Sequence, residues 1–155
     1  MSTSASGSLF IITCNEPKPE LDLSHHFNLS TNTTSVIKTP GGRTEGTVAS
    51  IYQADQSNRI AVIIVVQHTG CPHTPGPSTV QENICADIRK LRTDRYVRKE
   101  IVILGYVLDT QTRALSEVKY VKPFSSLPVS SHPHLIFQNP VYPLLWHSAD
   151  AGLRR

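Results

Sequence analysis

Long apolar runs, aromatic side chains and a strong excess of one charge are all in short supply in this sequence. The longest apolar run of its 155 residues, Ile60 to Val66, falls well short of the ~20 residues a membrane-spanning helix needs, so no membrane role is expected. Aromatics make up 6% of the chain, with one Trp, so a core must rest on Ile, Val and Leu. The formal net charge is only +3. The one loose basic cluster, Arg89, Lys90, Arg92, Arg95, Arg98 and Lys99, reads as a solvated helix face and the turn after it, and no nucleic-acid partner is expected. The first residues, Met1 to Gly7, carry no basic n-region, and Leu9 to Ile12 is too short for a signal h-region, so a cytoplasmic location is expected. Disulfides are rare there, which leaves the three cysteines as metal ligands, reactive thiols or core filler.

What is present suits one globular domain: 39% hydrophobic and 17% charged residues, in a length that supports a single core. Residues 1–7 are small and polar and read as a disordered tail. Leu9 to Thr13 reads as a first strand ending at Cys14, and residues 15–33 as a long loop. Val36 and Ile37 mark a second strand. Pro40-Gly41-Gly42 makes a turn before a helix expected over Thr44 to Asp55, with Val48, Ile51 and Tyr52 on one face. The β-branched run Ile60 to Val66 suits a central strand of a parallel sheet. After a Pro/Gly-rich loop, Ser78-Thr79-Val80-Gln81 has the capping-box pattern and opens a helix with Val80, Ile84, Ile88 and Leu91 on one side. Ile101 to Leu108 reads as a fourth strand, residues 109–113 as a turn, and Leu115 to Val121 as an antiparallel edge strand. The fold expected is α/β: a mostly parallel central sheet flanked by helices, with an antiparallel edge strand. Residues 122–155, which hold five of the eleven prolines, read as an extension packed on the body or on a partner chain.

Two features fall at the C-terminal ends of apolar strands, where open parallel sheets bind ligands. One is Cys14. The other is His68-Thr69-Gly70-Cys71, just past the third strand. If those strands are neighbours, two thiolates and one imidazole converge, which is a catalytic zinc pattern with one position open. Taken alone, the residues leave this reading level with plain buried cysteines and a solvent-facing histidine. Cys85 reads as core, His25 and His26 as surface, His73 as a candidate proton shuttle, and Arg43 as a solvated charge.

Four segments, in order, resemble the β-class carbonic anhydrases, of a short or mini type. Cys14-Asn15-Glu16-Pro17-Lys18 stands where that family reads C-x-D-x-R, and Lys38 to Arg43 where it reads R-N-A-G-G-R. His68-Thr69-Gly70-Cys71-Pro72 is similar to its zinc motif H-T-D-C-G, and Gly105 to Val118 to its G-x-v-y-D-x-x-T-G-x-L-x-x-V stretch. The resemblance covers residues 8–121. It implies one Zn²⁺ per chain held by Cys14, His68 and Cys71, a homodimer, and the reversible hydration of CO₂ to bicarbonate. The hydroxide comes from a water whose pKa zinc lowers from ~15.7 toward ~7.

The sequence departs from the pattern at the catalytic pair. The family's Asp accepts a hydrogen bond from the zinc water, and its Arg keeps that Asp off the metal; here Glu16 and Lys18 take these places. Glu is one methylene longer and can reach the metal, while Lys cannot make the two-pronged bond of Arg to a carboxylate. The expectation is a zinc hydratase of weak or conditional activity. Two alternatives stand beside it: a zinc-holding pseudo-enzyme acting as a binding or scaffold protein, and a hydrolase of CS₂ or COS. Gly70 and Pro72 also replace the family's Asp and Gly, and the segment from Cys71 to Ser78 is short.

Overall fold

The β-branched runs of the sequence become the strands of one five-stranded sheet. In a computed structural model, which describes residues 7–120 apart from 31, 75 and 77, these are β1 (Ser8–Cys14), β2 (Thr34–Thr39), β3 (Ile60–His68), β4 (Val102–Leu108) and β5 (Leu115–Val118). Their order is β2-β1-β3-β4-β5. β2, β1, β3 and β4 run parallel, and β5 closes the edge antiparallel to β4. The expected class is present, and the β1–β3 neighbourhood on which the metal reading depended is met. The tail up to residue 6 and the extension over 122–155 lie outside the described residues.

Parallel strands need crossovers, and helices supply two of the three, while a loop joins β1 to β2. α1 (Val48–Ser57) precedes β3, and α2 (Val80–Thr93) precedes β4. Both bury their apolar stripes on one face of the sheet. Ile51 from α1 and Ile84, Ile88 and Leu91 from α2 pack with Phe10, Ile12, Ile63 and Val65. Each fully buried side chain of this size contributes roughly 1.5–3 kcal/mol. α2 lies close on β4 because Gly105 has no side chain; a Cβ there would collide with the Ile84 and Ile88 side chains. The opposite face carries Ile11, Ile64, Val66 and Leu108, covered by Leu21 and Leu23 from the loop after β1. That loop contains a 3-10 turn over Pro19–Leu21.

Several boundaries differ from expectation; the edge strand, for one, ends at Val118, short of the expected Val121. The first helix starts at Val48 rather than Thr44, because Gly46 takes φ +74, a left-handed conformation that no α-helix accommodates. The capping box of α2 is Thr79 with Glu82, one residue beyond the Ser78/Gln81 pair: Thr79 Oγ1 accepts from Glu82 N at 3.2 Å and Glu82 Oε2 accepts from Thr79 N at 2.7 Å. Both patterns are written in the sequence; the charged Glu82 is the stronger acceptor at a helix N-terminus. β3 continues through Gln67 and His68, paired with Val107 and Leu108, so His68 ends the strand instead of following it. Among the described residues, no helix is long and apolar enough to cross a membrane.

Candidate metal centre

Because β1 and β3 run parallel, their last residues, Cys14 and His68, emerge at the same end of the sheet. Cys14 is buried, and so is His68 at 2% exposure. Past His68 the chain turns through Gly70, at φ +66, and brings Cys71 back beneath the strand ends. The two sulfurs stand 3.7 Å apart. Glu16, two residues beyond Cys14, folds over them with one carboxylate oxygen 2.9 Å from His68 Nε2. One ligand atom from each of Cys14, Glu16, His68 and Cys71 lies within 4.8 Å of all the others. The expected trio is thus brought together, and Glu16 joins it.

The hydrogen-bond partners settle which atoms face inward. His68 Nδ1 lies 2.8 Å from the Thr69 carbonyl, a contact that requires the proton on Nδ1; in the neutral ring Nε2 is then an acceptor. Glu16 Oε2 and His68 Nε2 are both buried, and neither has a hydrogen-bond partner. They approach to 2.9 Å without the alignment of a hydrogen bond, and with a neutral His68 two lone pairs face each other there. A cation shared between them would satisfy both atoms. The sulfur spacing agrees: two sulfurs each about 2.3 Å from one tetrahedral ion sit roughly 3.8 Å apart. These residues fit a metal ion.

The surroundings are electrostatically ordered. Lys18 Nζ holds the other Glu16 oxygen at 2.9 Å. Its ammonium keeps the Glu16 carboxyl below the ordinary value against an opposing desolvation effect, and Glu16 in turn raises Lys18. Burial pushes the Cys71 thiol above its ordinary value; the neighbouring Cys14 sulfur adds to the rise, and the His73 backbone N–H and the Thr74 side chain only partly offset it. His25, His26 and His73 are exposed and Cys85 is half-buried in α2.

Arg43 corrects the sequence reading. It is not a free solvated charge but a half-buried partner of Asp87, with Nε 2.7 Å from Asp87 Oδ2. Asp87 has no exposed surface. Its signal was present in the sequence: it stands three residues after Ile84 and four before Leu91, on the apolar stripe of α2, where an acid needs a partner.

No protein-family model matches the sequence, and no curated protein matches it. Solved structures do match its fold. A carbonic anhydrase from Streptococcus mutans is 20% identical over 72% of this chain and 81% of its own, with TM-score 0.62. The β-carbonic anhydrase isoform I of Trichomonas vaginalis is 15% identical over 77% and 88%, with TM-score 0.63. The apo form of a carbon disulfide hydrolase is 16% identical over 73% and 79%, with TM-score 0.60. With its sheet order and its two crossover helices, the chain has the β-carbonic anhydrase fold.

Proposed function

We propose that the chain is a zinc hydratase that interconverts CO₂ and bicarbonate, with Cys14, His68 and Cys71 as ligands and Glu16 and Lys18 controlling access to the metal. The observation that carries this reading is the pair of buried, unpartnered polar atoms, Glu16 Oε2 and His68 Nε2, facing each other beside two sulfurs. Two thiolates and one imidazole suit Zn²⁺. Zinc, when bound, supplies the Lewis acidity that brings a water's pKa from ~15.7 toward ~7.

The chain's own groups do the rest. Thr69 holds the His68 ring by Nδ1–H, fixing its tautomer and aim. Glu16 offers a fourth ligand atom, with its second oxygen on Lys18. Bound there it would compete with water; drawn back by Lys18 it would be the nearest acceptor for a water's proton. The reading includes a homodimer in the cytoplasm, both taken from the family resemblance and the sequence.

The test is metal analysis of purified protein followed by stopped-flow CO₂ hydration. About one zinc per chain and a measurable zinc-dependent rate, lost with Cys71→Ser, support the proposal; no bound metal overturns it. The position of Glu16 also favours a second reading, a closed pseudo-enzyme in which four protein ligands leave no room for substrate. Full zinc occupancy with no hydration and no sulfide release from CS₂ or COS would select it. Sulfide release without CO₂ hydration would select the activity that the carbon disulfide hydrolase is named for.

A further inference from the structure

One buried carboxyl on α2 binds two segments that lead into the metal centre. Asp87 Oδ2 accepts from Arg43 Nε and from Gln67 Nε2, each at 2.7 Å, and Oδ1 accepts from Arg43 Nη2 at 3.2 Å. Gln67 immediately precedes His68 on β3 and is as buried as it is. Successive strand residues point to opposite faces, so an amide held toward α2 sends the next side chain away from α2.

Arg43 closes the turn that holds Gly42. Its carbonyl accepts from Thr39 Oγ1 at 2.8 Å, and its Nη1 reaches Asn83 Oδ1 at 3.3 Å. Gly42, at φ +65, is wedged against both ligand-bearing strands: a Cβ there would lie 2.5 Å from the Val66 carbonyl and 3.2 Å from the Cys14 nitrogen. Asp87 therefore bears on the backbone just before His68 and, through Arg43 and Gly42, on the backbone at Cys14.

Docking α2 does not require this acid. Ile84, Ile88 and Leu91 already bury the helix, and an apolar residue at 87 would avoid desolvating a charge. Buried ion pairs add little net stability over apolar packing; what they provide is direction. We propose that Asp87 is a positioning residue for the metal centre, acting through Gln67 on His68 and through Arg43 on Cys14. The inference rests on the metal reading above.

Asp87→Asn tests it, with Asp55→Asn as the matched control. Asp55 pairs with Arg98, also at 2.7 Å, and bonds Ile60 N, at the end of β3 opposite His68. Zinc affinity is read by competition with a chromophoric chelator, and site geometry by the absorption spectrum of the Co²⁺-loaded protein. Thermal unfolding is followed alongside. Asp87→Asn is expected to weaken zinc roughly tenfold or more and to alter the Co²⁺ spectrum. Asp55→Asn is expected to lower Tm and leave both metal readouts unchanged. An Asp87→Asn protein with wild-type affinity and spectrum overturns the proposal. So does an Asp55→Asn protein whose metal readouts shift equally, since general loosening would then explain both. Should Asp87→Asn not fold, Arg43→Lys, which keeps the charge and loses the two-pronged bond, is read by the same criteria. A wild-type protein that takes up neither Zn²⁺ nor Co²⁺ removes the metal reading itself, a failure distinct from a variant that binds as well as wild type.

Discussion

Glu16 is pulled two ways. One oxygen is on Lys18, whose side chain is 46% exposed, and the other faces buried His68 Nε2. The extra methylene of Glu lets the carboxyl span both, and the single ammonium of Lys18 does not fix its orientation. Replacing the pair together, Glu16→Asp with Lys18→Arg, shortens the reach and supplies a two-pronged donor. CO₂ hydration is expected to rise on the order of 10²-fold, the scale of a misplacement near 1 Å; an unchanged stopped-flow rate would mean the pair does not limit turnover. At this scale the site was legible where residues mark the ends of apolar runs, as Cys14 and His68 do. Arg43 was not, because its partner Asp87 lies 44 residues away and nothing near Arg43 announces it. Reading the α2 stripe for its misplaced acid, rather than for its apolar members alone, would have found the pair from the other side.

Among the elements, α2 carries the clearest local signals. Its capping box satisfies two backbone donors reciprocally, and Thr79→Ala is expected to cost about 1 kcal/mol in urea unfolding with little effect on metal content, because Ile84, Ile88 and Leu91 still dock the helix. A Ser78→Ala change is expected to leave stability within about 0.5 kcal/mol. That pair of variants separates the two overlapping patterns in the sequence. Strand existence and the mostly parallel sheet followed from β-branched runs and the crossover rule, whereas the order of the strands came only from the structure. Helix limits did not, since Gly46 looks like any glycine until its positive φ is known. The extra length of β3 escaped for a related reason: Gln67 and His68 are polar, and their burial comes from long-range partners, not from their own hydrophobicity.

At the scale of the described domain, the sheet is fastened at both ends by ion pairs, and one of them ties its stability to pH. Arg98 donates to both Asp55 oxygens and to the Ile60 carbonyl, joining α1, the start of β3 and the segment after α2. Its guanidinium holds the Asp55 carboxyl below the ordinary value of 3.8. A depressed carboxyl stabilises the fold fully above the unfolded value and loses that contribution as pH falls through the folded one. Asp55→Asn is therefore expected to lower stability by about 2 kcal/mol near neutral pH, with the gap to wild type narrowing below about pH 4. A gap that stays constant with pH, measured by urea unfolding, would assign the loss to packing. The register of β1 against β3 has a consequence for biogenesis. A one-residue slip of β3 would rotate His68 under α2 and offer the Gln67 amide to the sulfurs in its place. Under the metal reading proposed above, only chains that pair β1 with β3 in the right frame would bring Cys14 and His68 together, so the metal content of a preparation would report on its folding.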